Sequence, residues 1–221
     1  MSGKLIIENL EKVYKGEVET IAIRDFNLSL NSGESATLAG PSGSGKSTIL
    51  LCIAGLLEPT FGKIISNGKL VNAFTDEELV DYRLQTVGIV FQSYNLIEFF
   101  TVFENIAFPL WIAKRNKKEI KKRVQFLLEE LDINRYAQTY PRFLSGGEQQ
   151  RVAIGIALAN DPQIILADEP TGNLDRETAD IVIDLLFKEA QEHNKILLLA
   201  THDEKIIEKS KQVLSLEKRV V

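Results

Sequence analysis

Residues 40–47 read Gly40-Pro41-Ser42-Gly43-Ser44-Gly45-Lys46-Ser47, followed by Thr48. Gly40 and Gly45 bracket four residues and Lys46-Ser47 closes the run, the spacing of a phosphate-cradling loop. Glycines let the backbone curl so that successive N–H groups converge on one anion, and the helix that follows adds the positive end of its dipole. In such a loop Lys46 bridges β- and γ-phosphate oxygens and the Ser47 hydroxyl ligates Mg²⁺. The flanks suit this reading better than that of a flexible Gly/Ser turn. Residues 33–39 look like a turn feeding a short strand, and 49–54 like a buried helix.

Working outward, residues 5–10 and the alternating Phe26-Asn27-Leu28-Ser29-Leu30 predict strands joined through the Asn31-Ser32-Gly33 turn into an antiparallel opening. Glu58 to Gly62 is a breaker cluster, Thr75 to Glu78 a capping box before a helix, and Val87 to Phe91 a short buried strand. From 95 to 160 the pattern is helical, with Ile120, Val124, Leu127, Leu128 and Leu131 on one stripe. Residues 164–167 and 196–200 are continuous apolar runs, as in strands covered on both faces, with a crossover helix between them. The expected architecture is α/β. A parallel nucleotide-binding core (1–94 and 161–221) carries an N-terminal antiparallel β subdomain and an inserted helical subdomain (95–160).

The chain has 221 residues, 44% hydrophobic and 26% charged, with a formal charge of −5. That balance suits a soluble globular domain and argues against general nucleic-acid binding. A lone cysteine, Cys52, excludes an intrachain disulfide framework. The longest apolar stretch, 49–57, is far short of the about 20 residues a spanning helix needs. Met1-Ser2-Gly3-Lys4 leads into no secretory apolar run. The expected location is cytoplasmic.

Asp168 follows the apolar run 164–167, so it should emerge at a strand's C-terminal edge, where open α/β sheets bind ligands. There it would hold Mg²⁺, and Glu169 could take a proton from an attacking water. Leu144-Ser145-Gly146-Gly147-Glu148-Gln149-Gln150-Arg151 offers a hydroxyl, free amides and a helix start. Taken alone it could be only a helix cap. Taken with Gln92, Asp168-Glu169, Asp175 and His202, in that order along the chain, it resembles the ATP-binding cassette (ABC) family over essentially all residues.

The resemblance implies two cassettes packed head to tail around two ATP molecules. Residues 40–48 would bind ATP within their own subunit, and Ser145, Gly146 and Gly147 would reach the γ-phosphate held by the other. Gln92 would contact Mg²⁺ and sense a membrane partner, unless it is a plain exposed glutamine. His202 would hydrogen-bond the γ-phosphate, Asp175 would contact the dimer partner or cap the next helix, and Tyr14 would stack on adenine or be an ordinary surface tyrosine. His193 reads as a solvated helix end. The implied cofactors are ATP and Mg²⁺. The implied partners are a second copy and integral-membrane permease subunits, with no specific nucleic acid, placing the chain peripherally on the inner face of the cell membrane.

Residues 167–175 and 148–151 resemble the branch of lipoprotein-releasing and macrolide- or peptide-exporting ATPases. Ile156 departs from the family, which usually has arginine there. DNA-repair relatives carry long coiled coils between the two motifs, whereas Lys46 and Leu144 are 98 residues apart here without sustained heptads. Translation factors usually hold two cassettes. A non-transport role coupled through a membrane protein stays open. The aromatics Phe99, Phe100, Phe103, Phe108 and Trp111 suit core packing or a permease groove. The basic residues between Lys114 and Arg123 suit a solvated helix face or the anionic leaflet.

Overall fold

A computed structural model describes residues 3–16 and 19–217, apart from the Lys205 side chain. Met1, Ser2 and the tail residues 218–221 lie outside the described residues. In chain order the elements are β1 (Lys4–Tyr14), β2 (Thr20–Asn31), β3 (Ser35–Ala39), α1 (Lys46–Ile53), β4 (Phe61–Ser66), β5 (Lys69–Leu70) and α2 (Asp76–Gln85). Then follow β6 (Val87–Val90), α3 (Val102–Ile112), α4 (Lys117–Glu130), α5 (Gly146–Leu158), β7 (Ile164–Asp168), α6 (Arg176–Glu192), β8 (Ile196–Thr201), α7 (Glu204–Lys209) and β9 (Val213–Ser215).

Period-two alternation makes the first sheet. Phe26, Leu28 and Leu30 are buried, Asn27 and Ser29 are exposed, and Leu5 pairs with Leu30 in antiparallel register. The order of this sheet is β2-β1-β4-β5. The β4–β5 hairpin is an addition to the sequence reading, which stopped at the breaker cluster. Its turn is Asn67-Gly68, both at positive φ (51° and 78°), the backbone that a two-residue hairpin loop requires.

The second sheet is parallel, in the order β6-β7-β8-β3-β9. Its central strands send alternate side chains to opposite faces. Leu166, Leu198 and Ala200 join β1, β2 and α1 in one apolar cluster. Ile165, Ala167, Leu197 and Leu199 join α3, α4, α5 and α6 in another. Both faces are therefore dry, which is why β7 and β8 read as unbroken apolar runs. The stripe expected on the inserted helices is buried in full, from Ile120 to Leu131, and it shares its core with the sheet.

Candidate nucleotide site

Register brings the chemistry to one edge. Ala39 pairs with Thr201 and Asp168 with Ala200, so β3, β7 and β8 end level with one another. The phosphate loop, Asp168-Glu169 and Thr201-His202 all leave the sheet there, and Val90 of β6, paired with Ala167, delivers Gln92 beside them. The result is a cleft of 450 Å³ lined by Tyr14, residues 42–48, Gln92, Glu169 and His202, with Thr20, Ile21, Ala22 and Glu217.

The loop geometry follows from its glycines. Gly45 caps α1 at φ 94°, and a Cβ there would stand 2.4 Å from the Ala22 carbonyl oxygen, so both backbone and space exclude a side chain. The Lys46 side chain, 6% exposed, donates to the Gly40 and Pro41 carbonyls at 2.7 and 3.1 Å and lies 3.4 Å from Glu169 Oε1. A buried ammonium beside the amides of its own loop is a concentrated positive site for phosphate oxygens.

Glu169 is positioned by three elements. Its backbone sits at φ 44°, a conformation that costs a non-glycine residue about 1 kcal/mol or more and tends to persist where function over-determines it. Thr201 Oγ1 donates to Oε2 at 3.1 Å, and His202 Nδ1 lies 3.0 Å from Oε1. Thr201, 1% exposed, was not singled out from the sequence. Its signal was its place between the strand's apolar run and His202.

Asp168 tests whether a metal fits. Burial pushes its carboxyl above the ordinary value and Glu169 adds to this, while a Ser47 hydrogen bond and the Lys46 charge oppose it. Its Oδ1 is buried without a hydrogen-bond partner. A buried carboxylate oxygen lacking a donor, next to a serine hydroxyl, fits one dication shared with phosphate oxygens. No cluster of three or more His, Cys, Asp or Glu among the described residues forms a metal cage of its own. Gln92 sits at the same rim. Its carbonyl accepts from Asn173 Nδ2 at 3.0 Å, leaving the amide side chain exposed toward the cleft.

The cleft does not contain Ser145, Gly146, Gly147 or Asp175. Ser145 caps α5, its Oγ accepting from Glu148 N while Glu148 Oε2 accepts from Ser145 N at 2.8 Å. Asp175 caps α6, accepting from Thr178 N at 3.1 Å and Thr178 Oγ1 at 2.7 Å, and these bonds hold its carboxyl below its ordinary value. The cap expected for Asp175 is therefore present. Ile156 packs against the apolar cluster beneath α5, which explains why an aliphatic side chain is accommodated there. His193 ends α6 with its ring partly exposed near Glu189.

The family model described as ABC transporter matches residues 23–172, a span holding the phosphate loop, the Ser145-Gly146-Gly147 helix start and Asp168-Glu169. The chain belongs to the ABC transporter family. A lipoprotein-releasing system ATP-binding protein, LolD of Treponema denticola, is 42% identical over 91% of this chain and 90% of its own length. A methionine import ATP-binding protein, MetN 1 of Bacillus cereus, is 41% identical over 92% of this chain and 59% of its own. The dimeric structure of a post-hydrolysis state of the ATP-binding cassette MJ0796, bound to ADP and Pi, superposes with a TM-score of 0.89. It shares 38% identity and covers 98% of this chain and 100% of that one. This ABC protein is accordingly an ATP-hydrolysing cassette, with the P-loop core and antiparallel sheet of its relatives. Among its described residues no helix is long and apolar enough to cross a membrane.

Proposed function

We propose that this chain is the motor subunit of a transporter of the lipoprotein-release or export type, held at the inner face of the cell membrane by permease subunits. The observation that carries it is the splitting of the machinery. One chain lines its cleft with residues 42–48, Gln92, Glu169 and His202, with Asp168 next in the chain to Glu169, and keeps Ser145 and Gly147 outside it. Those residues then serve the cleft of a second copy, and ATP drives the two copies together. Residues 95–160 act as the arm that carries the signature, and Phe99, 88% exposed in the segment after Gln92, offers an apolar contact for the permease. LolD gives the lipoprotein-releasing reading its precedent, while the similar identity of a methionine importer makes cargo a property of the permease.

In the reaction, water attacks the γ-phosphorus and ADP leaves. Mg²⁺, held by Ser47, Asp168 and Gln92, would supply charge neutralisation across the phosphates. The loop amides and Lys46 fix the β- and γ-oxygens, Tyr14 stacks on the base, and Glu169 accepts the proton of the attacking water. Thr201 and His202 hold Glu169 at the angle this needs, and His202 can turn to the γ-phosphate. The protein makes no covalent bond, so positioning and electrostatics supply the rate.

Glu169→Gln tests the scheme. ATP binding stays while turnover falls about 100-fold or more, the usual worth of a general base, and the protein elutes as a dimer with Mg·ATP. Wild-type turnover in this variant would exclude Glu169 as the base.

A further inference from the structure

Residues 114–123 hold seven basic side chains and one acid, Glu119, in a chain whose total charge is −5. Arg123 is spoken for: it donates to the Leu158 and Ala159 carbonyls at 2.7 and 3.1 Å and lies 3.6 Å from Asp161. The other six, Lys114, Arg115, Lys117, Lys118, Lys121 and Lys122, are exposed. None of them enters an ion pair among the described residues. Surface lysines on a chain with 31 acidic residues would ordinarily be interspersed with them; here they form a separate ridge along the α3–α4 turn and the first half of α4.

The second observation is what the ridge encloses. Trp111 and Ile112 at the end of α3 are 42% and 49% exposed. Trp111 lines an apolar groove of 440 Å³ with Phe103 and Ile120, and Lys117 and Lys121 form the groove's charged wall. Phe100 and Phe108 meet the indole edge to face, at 5.9 and 6.4 Å between ring centroids, so the ring is braced against the fold. An exposed indole flanked by ammonium groups on long aliphatic stems matches the water–lipid boundary. There the ring lies at the depth of the headgroups and the lysines reach the phosphates.

We propose that the α3–α4 turn and the N-terminal half of α4 form a binding surface for anionic lipid headgroups, giving this subunit its own contact with the bilayer beside the one made through the permease. The proposal rests on the membrane-bound reading above only for where the lipid is met. Each exposed Lys or Arg close to an anionic surface strengthens binding about fivefold, and the whole set is screened by salt. Nucleic acid shares the phosphate chemistry, but the ridge lies beside an apolar groove rather than along a polar track. The net acidity of the rest of the chain would oppose a long polyanion.

The test uses the full chain with vesicles of phosphatidylcholine alone, or in equimolar mixture with phosphatidylglycerol, without ATP or permease. Flotation should show at least about 100-fold stronger partition onto the mixed vesicles, abolished at about 0.5 M salt. Trp111 is the chain's single tryptophan, so its emission should shift to the blue on binding and be quenched by bromine on the lipid chains. Lys117→Gln/Lys118→Gln/Lys121→Gln/Lys122→Gln should lose about tenfold or more of that partition. Lys63→Gln/Lys69→Gln, on β4 and β5 of the antiparallel sheet, should lose none. Equal partition onto both vesicles, an unshifted Trp111, or a quadruple variant that partitions as strongly as the wild type would each overturn the proposal, as would a quadruple variant that keeps its vesicle binding and loses binding only to an added oligonucleotide. Co-purification with permease subunits, measured separately, decides the permease-bound reading and leaves the vesicle result independent of it.

Discussion

At Glu169 the backbone is held at φ 44° while one carboxylate oxygen takes a hydrogen bond from Thr201 and the other faces Lys46 and His202. The side chain is 15% exposed, so its angle is set by these neighbours rather than by solvent. Thr201→Val removes one donor at nearly constant volume. Turnover should fall about tenfold or more with little change in KM, because a hydrogen bond to a carboxylate is worth about 1.5–3 kcal/mol; the same substitution also frees the Asp203 amide that Thr201 Oγ1 accepts from at 3.0 Å. A change confined to KM would place Thr201 in substrate binding instead. Lys46→Ala should act on binding itself, weakening ATP affinity in an equilibrium titration; unchanged affinity would contradict the cradle. Burial pushes the Cys52 thiol from 9.0 to about 11. Between those values the unfolded chain has released a proton that the folded one keeps, so stability falls as pH rises through that window. Native protein should therefore react with thiol reagents only as fast as it opens, and its urea midpoint should drop from pH 8 to pH 10 by more than that of Cys52→Ala.

At the scale of elements, what the sequence revealed depended on how local the cause was. The phosphate loop, the Thr75–Glu78 capping box, the buried stripe of α4 and the dry strands β7 and β8 are each written in a few neighbouring residues, and each stands where the pattern places it. The β4–β5 hairpin was missed because Gly62 and Pro59 looked like the end of structure, although Asn67-Gly68 carried the turn. The Thr101–Glu104 box at the head of α3 is as local as the one at Thr75 and was equally readable. The grip of Thr201 on Glu169 was not, because it depends on the register between β7 and β8. Contact between α5 and α6 is of the same kind. A Cβ on Gly147 would stand 2.2 Å from Thr178 Cγ2, so glycine is demanded by a residue 31 positions further along the chain. Gly147→Ala should push the two helix starts apart and lower stability by about 1–3 kcal/mol, the usual cost of overpacking. Thr178→Ser removes that methyl while keeping the hydroxyl bonded to Asp175, and should recover most of the loss in a double variant. Additive destabilisation in thermal melts would mean the two helices are not in register as described.

At the scale of the whole molecule, the sheet edge carries the cleft while Ser145 caps α5 outside it, which the proposed scheme reads as two halves of one catalytic site. A single chain cannot bring Ser145 to its own cleft without moving α5 off the core it shares with β6 and β7, and breaking such a core costs several kcal/mol. Two copies related by a twofold axis solve the problem at no cost to either core, since each cleft then faces the partner's α5. The arrangement makes a sharp claim about mixtures. Lys46→Ala ruins the cleft of the chain that carries it, and Ser145→Arg ruins the helix start it presents to a partner; each protein alone should be inactive. In a mixed dimer, one site combines both defects and the other combines neither. With random pairing and independent sites, an equal mixture should recover about a quarter of wild-type hydrolysis. The recovered activity should rise with total protein concentration and should vanish when the two substitutions are placed in the same chain. A mixture no more active than its separate components, with dimers present by light scattering, would rule out a site completed across the interface and return Ser145 to the role of a helix cap alone.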